Sequence, residues 1–128
     1  MLQVRADRHD FRPYGLFGGS PGRPSRNVMN PGTENRALPG KFTMTMKRDD
    51  VLSTESAGPG GWGDPLEREP ARVARDVRNE FVSRRAAYED YGVVFVGDSL
   101  EVDETATAAR RAAMRAARGW TEPPAVSR

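Results

Sequence analysis

Polar and apolar residues alternate over Lys41-Phe42-Thr43-Met44-Thr45-Met46, which puts Phe42, Met44 and Met46 on one face. A period of two marks a half-buried strand. Val51-Leu52-Ser53-Thr54 is predicted as its antiparallel partner, across Lys47-Arg48-Asp49-Asp50. From Pro70 the period lengthens. Val73, Val77 and Phe81 repeat at i, i+4 and i+8 and predict an amphipathic helix, with Pro70 tolerated because it falls in the first turn. Ser83 predicts the N-cap of a second short helix carrying Ala86, Ala87 and Tyr91, stopped by Gly92. Val93-Val94-Phe95-Val96 predicts a strand, Gly97-Asp98-Ser99 a turn, and Leu100-Glu101-Val102 the return. Asp103 predicts the cap of a last, alanine-rich helix from Glu104 to about Arg118, closed by Gly119.

The segments between are built from turn residues. Residues 15–40 are dense in Gly, Pro, Ser and Asn and cannot build a helix. Residues 1–14 are charged and lack periodicity, so they are expected as a polar tail, and residues 119–128 as a loose, Pro-containing one. The expected fold class is α+β: Gly/Pro-rich loops and β-hairpins, then two short helices, a second hairpin and a C-terminal helix, with residues 15–118 as the organised segment.

Composition bounds the function classes. At 128 residues one modest core is the default. The net charge of +2 gives no argument for nucleic acid, although it is unevenly spread: residues 1–48 hold nine Lys/Arg against three Asp/Glu (+6), residues 49–128 eleven against fifteen (−4). The absence of cysteine removes disulfides, thiolate metal sites and a cysteine nucleophile. His9 is the single histidine, so a histidine-ligated metal is not expected. No apolar run approaches the roughly 18–20 residues of a membrane span, and a cytoplasmic location follows as the default. The arginine-heavy basic set hints at a GC-rich bacterial genome.

Two glycine patterns resemble chemical motifs. Gly18-Gly19-Ser20-Pro21-Gly22 matches G-x-S-x-G, but that elbow needs a following helix and a downstream base. Pro21 and Pro24 oppose the helix, and His9 lies upstream. Gly58-Pro59-Gly60-Gly61-Trp62-Gly63 formally matches G-x-G-x-x-G, whose amides hold a pyrophosphate. Pro59 removes one donor and Asp64-Pro65 delays the helix, so close backbone packing is the better reading of these glycines. In the last helix Arg110, Arg111, Arg115 and Arg118 share one side, without aromatics for base stacking; a solvated or subunit-facing surface is expected. Asp76 is expected to pair with Arg72.

Read in order, the residues carry a more specific signal. Gly15-Leu16-Phe17-Gly18-Gly19-Ser20-Pro21-Gly22, Leu38-Pro39-Gly40-Lys41, Asp50-Val51, Gly60-Gly61-Trp62-Gly63-Asp64-Pro65, Glu67-Arg68, Asp76-Val77, Val82-Ser83, Ala86-Ala87 and Tyr91-Gly92-Val93-Val94 together resemble the C-terminal end of the hydantoinase B/oxoprolinase family, from about Phe11 to Arg111. The resemblance implies a subunit that works with an ATP-binding hydantoinase A-type partner to open cyclic amides such as 5-oxoproline or hydantoins, related members carboxylating ketones. It implies ATP and a divalent metal for the full complex and none in this chain, no catalytic or metal residue within it, and metal ligands upstream. On this reading the chain is a fragment of a larger subunit, partnered by the hydantoinase A-type subunit, by the upstream part of its own subunit, or by both, and by neither nucleic acid nor membrane. Gly58, Gly60, Gly61, Trp62, Gly63 and Asp64 are the expected loop near the parent's substrate region. The sequence departs from the family's usual pattern at Asp49 (where Gly-Asp is usual at 49–50), at Pro59 within the glycine run, and at Asn79-Glu80, where a glycine is common. The alternatives are an interaction module using the basic N-terminal region, or a non-functional remnant.

Overall fold

The computed structural model describes residues 1–128. Small antiparallel sheets and three helices make it an α+β chain, divided into two units: Met1–Trp62 with Ala125–Arg128, and Gly63–Pro124.

The first unit holds all seven strands: β1 (Leu2–Arg5), β2 (Gly15–Leu16), β3 (Arg26–Met29), β4 (Arg36–Leu38), β5 (Lys41–Met44), β6 (Leu52–Glu55) and β7 (Val126–Ser127). The largest sheet has the order β4-β3-β6, with Val28 opposite Ala37 on one side and Ser53 on the other. As the central strand, β3 buries Asn27, Val28 and Met29, and Leu38 of β4 joins them. The side-chain amide of Asn27 donates to Pro39 O at 3.0 Å, tying the strand to the chain beyond β4.

The pairing of β5 differs from the expected hairpin. It pairs with β1, placing Leu2 opposite Met44 and Val4 opposite Phe42, while β6 pairs with β3. Thus part of the segment expected as a polar tail is a strand. The connection explains the change. Asp50 accepts from Lys47 N at 2.7 Å and from the Asn30 side chain at 3.2 Å, and Asn30 Oδ1 accepts from Val51 N at 2.8 Å. These bonds steer the chain leaving β5 toward the end of β3.

The second unit contains a 3-10 turn (Pro65–Glu67) and helices α1 (Pro70–Arg78), α2 (Arg84–Glu89) and α3 (Glu104–Ala117). Ser83 Oγ caps α2 by accepting from Ala86 N, and Asp103 caps α3 by accepting from Ala106 N. Val73, Ala87 and Val93 form the core, with Val77, Val82, Tyr91, Phe95 and Val102 packed against them. The expected stripe ends early. Glu80 takes a left-handed φ of 62°, α1 stops at Arg78, and Phe81 lies 81% exposed instead of packing below Val77. The expected second hairpin closes through one bridge, Phe95 to Val102, flanked by Val96 N to Glu101 O and Asp103 N to Val94 O, both 2.9 Å.

Candidate functional site

The glycines of the expected loop divide between the two units, and the first unit uses its share for backbone contact. A Cβ on Gly60 would stand 1.8 Å from Tyr14 O, and one on Gly19 would stand 2.2 Å from Gly61 O. Likewise Gly15 faces Gly19 O and Gly22 faces Gly58 O, at 1.9 and 2.1 Å from the added carbon. No side chain fits such separations, so only glycine lets these three stretches of chain lie against one another. Main-chain hydrogen bonds stitch them: Gly61 N to Ser20 O at 2.8 Å, Gly58 N to Arg23 O at 3.1 Å, and Leu16 N to Gly61 O at 2.9 Å. The amides of Gly58 and Gly61 therefore already serve carbonyls, and Pro59 has none to offer. The partners Tyr14, Gly15, Gly19 and Gly22 could have been suspected only from the glycine clustering at 15–22.

Trp62 ends this unit with its indole 78% exposed, edge-on to Phe17 at 5.8 Å between ring centroids. Phe17 is itself 52% exposed and held at a φ of 50°, a conformation that disfavours a bulky side chain.

Gly63 and Asp64 open the second unit. Gly63 has a φ of 83° with open space around it, as a left-handed turn requires. Asp64 is buried; its Oδ1 caps the 3-10 turn by accepting from Leu66 N at 2.9 Å, and its Oδ2 accepts from Arg118 Nη1 at 2.6 Å. Both oxygens thus have partners within the chain. Leu66 and Arg68, just beyond, present carbonyls to the same helix that supplies Arg118.

Of the arginines of α3, Arg111 departs from the expected solvated or subunit-facing surface, while Arg115 is exposed. Arg111 is 8% exposed and donates to Tyr91 O at 3.0 Å and Arg68 O at 2.7 Å. Burial, helped by the nearby charge of Arg115, lowers its pKa from the usual guanidinium value. Arg115 donates to Leu66 O at 3.0 Å. Arg118 stacks on Trp120 at 3.5 Å besides meeting Asp64. Arg110 lies 3.3 Å over the Tyr88 ring and donates to Tyr88 O at 2.8 Å. A helical row of fixed donors meets a row of loop carbonyls, which is how guanidinium groups substitute for missing backbone partners. Asp76, expected to pair with Arg72, pairs with Arg68; this ties α1 to the same segment.

Other candidates are placed without chemistry. Ser20 lies among the glycine stretches with no helix following before residue 65, so the elbow geometry is missing. His9 stands beside Gly40, against whose position its Cβ packs. No group of three or more His, Asp or Glu is placed to hold a metal ion. No helix is long and apolar enough to cross a membrane.

Comparison with known proteins gives the frame for these contacts. The family model described as hydantoinase B/oxoprolinase matches residues 1–65. An uncharacterised protein of Methanocaldococcus jannaschii is 31% identical over 105 residues, covering 80% of this chain and 19% of that protein. The caprolactamase subunit beta of Pseudomonas jessenii is 40% identical over 82 residues, covering 64% of this chain and 14% of the subunit. Among solved structures, a nucleotide-free acetone carboxylase, described with a mechanism of ATP-dependent acetone carboxylation, superposes with a TM-score of 0.54 at 29% identity, over 86% of this chain and 19% of its own. The chain spans no more than about a fifth of the length of these relatives.

Proposed function

The chain belongs to the hydantoinase B/oxoprolinase family, and from that premise we propose that it serves as a packing segment, the C-terminal one, of a subunit whose complete form hydrolyses the C–N bond of a cyclic amide at the expense of ATP. The observation that carries this reading is the interleaving of glycine stretches 15–22 and 58–61 within residues 1–65, the part that the family model matches. A pattern of glycines that serves backbone-to-backbone contact is a scaffold feature, and it is consistent with a segment that shapes a larger subunit.

The loop residues 58–64 have few free groups to offer the ATP or divalent metal of the family reading. The buried carboxylate Asp64 is saturated by Leu66 N and Arg118, the amides of Gly58 and Gly61 are engaged, and no acidic or histidine cluster is assembled. We therefore assign no step of the reaction to this segment. Trp62 and Gly63 would be loop residues near a site that other polypeptide completes, and a hydantoinase A-type subunit, the remainder of a B-type subunit, or both would be the partners. A relative named as a caprolactamase subunit beta supports both the cyclic amide and the multi-subunit setting. The cytoplasm is the compartment that suits an ATP-dependent reaction.

The carboxylating branch has one observation of its own, the superposition on acetone carboxylase. An ATP-dependent assay decides between them. The purified chain is incubated alone, and with an A-type subunit and the upstream part of a B-type subunit, against 5-oxoproline, hydantoin, caprolactam and acetone with bicarbonate. Ring opening is expected only in the complemented mixture. Turnover by the lone chain would refute the non-catalytic role, and acetone carboxylation without ring opening would move the chain to the other branch.

A further inference from the structure

The chain leaves the first unit after Trp62 and rejoins it at Ala125. One dipeptide holds both crossings. On one edge of β2, Leu16 donates to Gly61 O at 2.9 Å and bridges Trp62 in parallel. On the other edge β2 pairs antiparallel with β7, Gly15 opposite Ser127 and Leu16 opposite Val126, and Phe17 N donates to Ala125 O at 3.2 Å.

The two edges are held very differently. The outgoing strand is locked by glycine packing, Gly60 on Tyr14 and Gly19 on Gly61, and by the Phe17–Trp62 ring pair. The returning strand has no such lock. Ala125 is exposed, Val126 is 46% exposed, and what attaches them is main-chain bonding over a two-residue ladder. Hydrogen bonds of this kind, unsupported by apolar burial, make a weak attachment. The link before it, Glu122-Pro123-Pro124, is biased toward extended backbone.

We infer that the outer edge of β2 is a strand-acceptor site, and that β7 exchanges between two copies of this chain. A second copy supplies the identical segment in the identical register, so every hydrogen bond of the closed form is remade and only the link at 119–124 changes conformation. An unrelated extended peptide would make the main-chain bonds alone, whereas a second copy carries β7 on the same link and in the register already observed. The inference concerns the first unit and the link that returns to it, and does not rest on the proposed reaction.

The chain has no cysteine, so introduced thiols report without background. Phe17 and Ala125 are hydrogen-bonded across the ladder, which makes Leu16 and Val126 the adjacent non-bonded pair; Cα atoms there approach to about 4.5 Å, within disulfide reach. The variants L16C and V126C are mixed in equal amounts and oxidised mildly at rising concentration. The 16–126 heterodimer is expected to exceed each homodimer by well over the twofold of random pairing; twofold or less overturns the exchange. A second measurement avoids any folding defect of L16C. Sedimentation of the unmodified chain is expected to show a concentration-dependent dimer, which is lost in a chain ending at Pro124 and is dissociated by excess synthetic peptide of residues 121–128. A chain that stays monomeric, or a dimer that survives the truncation or the peptide, overturns it equally.

Discussion

Arg118 Nη1 lies 2.6 Å from Asp64 Oδ2, joining residues 54 apart in sequence, while the other oxygen of Asp64 caps the turn at Pro65. The carboxylate side chain is 2% exposed and the guanidinium side chain 18%. Asp64→Ala removes the cap, worth about 1 kcal/mol, and leaves a largely buried cation unpaired, for which losses of about 3–5 kcal/mol are typical. We expect the second unit to lose about 3 kcal/mol or more in urea unfolding followed by far-UV circular dichroism. Asp64→Asn keeps an acceptor for Leu66 N but not the charge, so it should recover only the roughly 1 kcal/mol of the cap. Equal losses for the two variants would show that the cap adds nothing to the ion pair, and an Asp64→Asn chain as stable as the parent would show that the charge contributes nothing.

Glycine substitutions separate close packing from flexibility. Gly60→Ala puts a methyl group 1.8 Å from Tyr14 O, and backbone on both sides can yield only by separating the stretches. Overpacking ordinarily costs about 1–3 kcal/mol, and a backbone collision belongs at or above the top of that range. Gly119→Ala meets nothing within 4 Å and should stay within about 0.5 kcal/mol of the parent. Thermal unfolding of the two variants side by side checks this. A Gly60→Ala chain as stable as Gly119→Ala would mean that the stretches are not in contact.

Local signals were legible in the sequence and long-range ones were not. The caps Ser83 and Asp103 act three residues away, on Ala86 and Ala106, so residue type and spacing sufficed. The family was legible because Gly15, Gly19, Gly22 and Gly60 are fixed by backbone collisions that no other residue can satisfy, and Gly63 by its left-handed turn. The partner of β5 was not legible. Leu2 and Val4 give only two apolar positions, and the choice between β1 and β6 was made by Asn30, whose side chain gathers Asp50 and Val51. The arginines of α3 read as a solvated face because their partners are carbonyls of residues 66, 68, 88 and 91, groups that every residue carries and that no pattern reveals.

The Asn30–Asp50 junction gives a pH dependence. The backbone N–H of Lys47 and then the Asn30 side chain lower the pKa of Asp50 from the ordinary aspartate value. The folded chain therefore binds this proton less readily than the unfolded chain. The stabilisation is complete above the unfolded value of about 3.9 and is lost as the pH falls through the lower folded value. An NMR titration of the Asp50 carboxyl should give a midpoint below that of an unstructured aspartate. Asp50→Asn should flatten part of the stability loss below about pH 4. A midpoint at or above the ordinary value would remove Asp50 from the turn that directs β6 to β3.

Two left-handed residues offer the converse experiment. Asp49 and Glu80 take φ values of 70° and 62°, and both are exposed. They sit at or beside the two places where the family's usual pattern, as read from the sequence, carries glycine. Holding an L residue there costs roughly 1–2 kcal/mol, whereas glycine gives back about 0.5–1 kcal/mol through the greater freedom of the unfolded chain. Asp49→Gly and Glu80→Gly should each raise stability by about 0.5–1 kcal/mol, and nearly additively, because they lie in different units. Asn30 shares the conformation, with a φ of 51°, but its side chain holds Val51 N and Asp50. Asn30→Gly should therefore destabilise, by about 1 kcal/mol or more. Urea midpoints of the three variants test the argument together: a stabilised Asn30→Gly, or a destabilised Asp49→Gly and Glu80→Gly, would show that backbone strain does not set the balance at these turns.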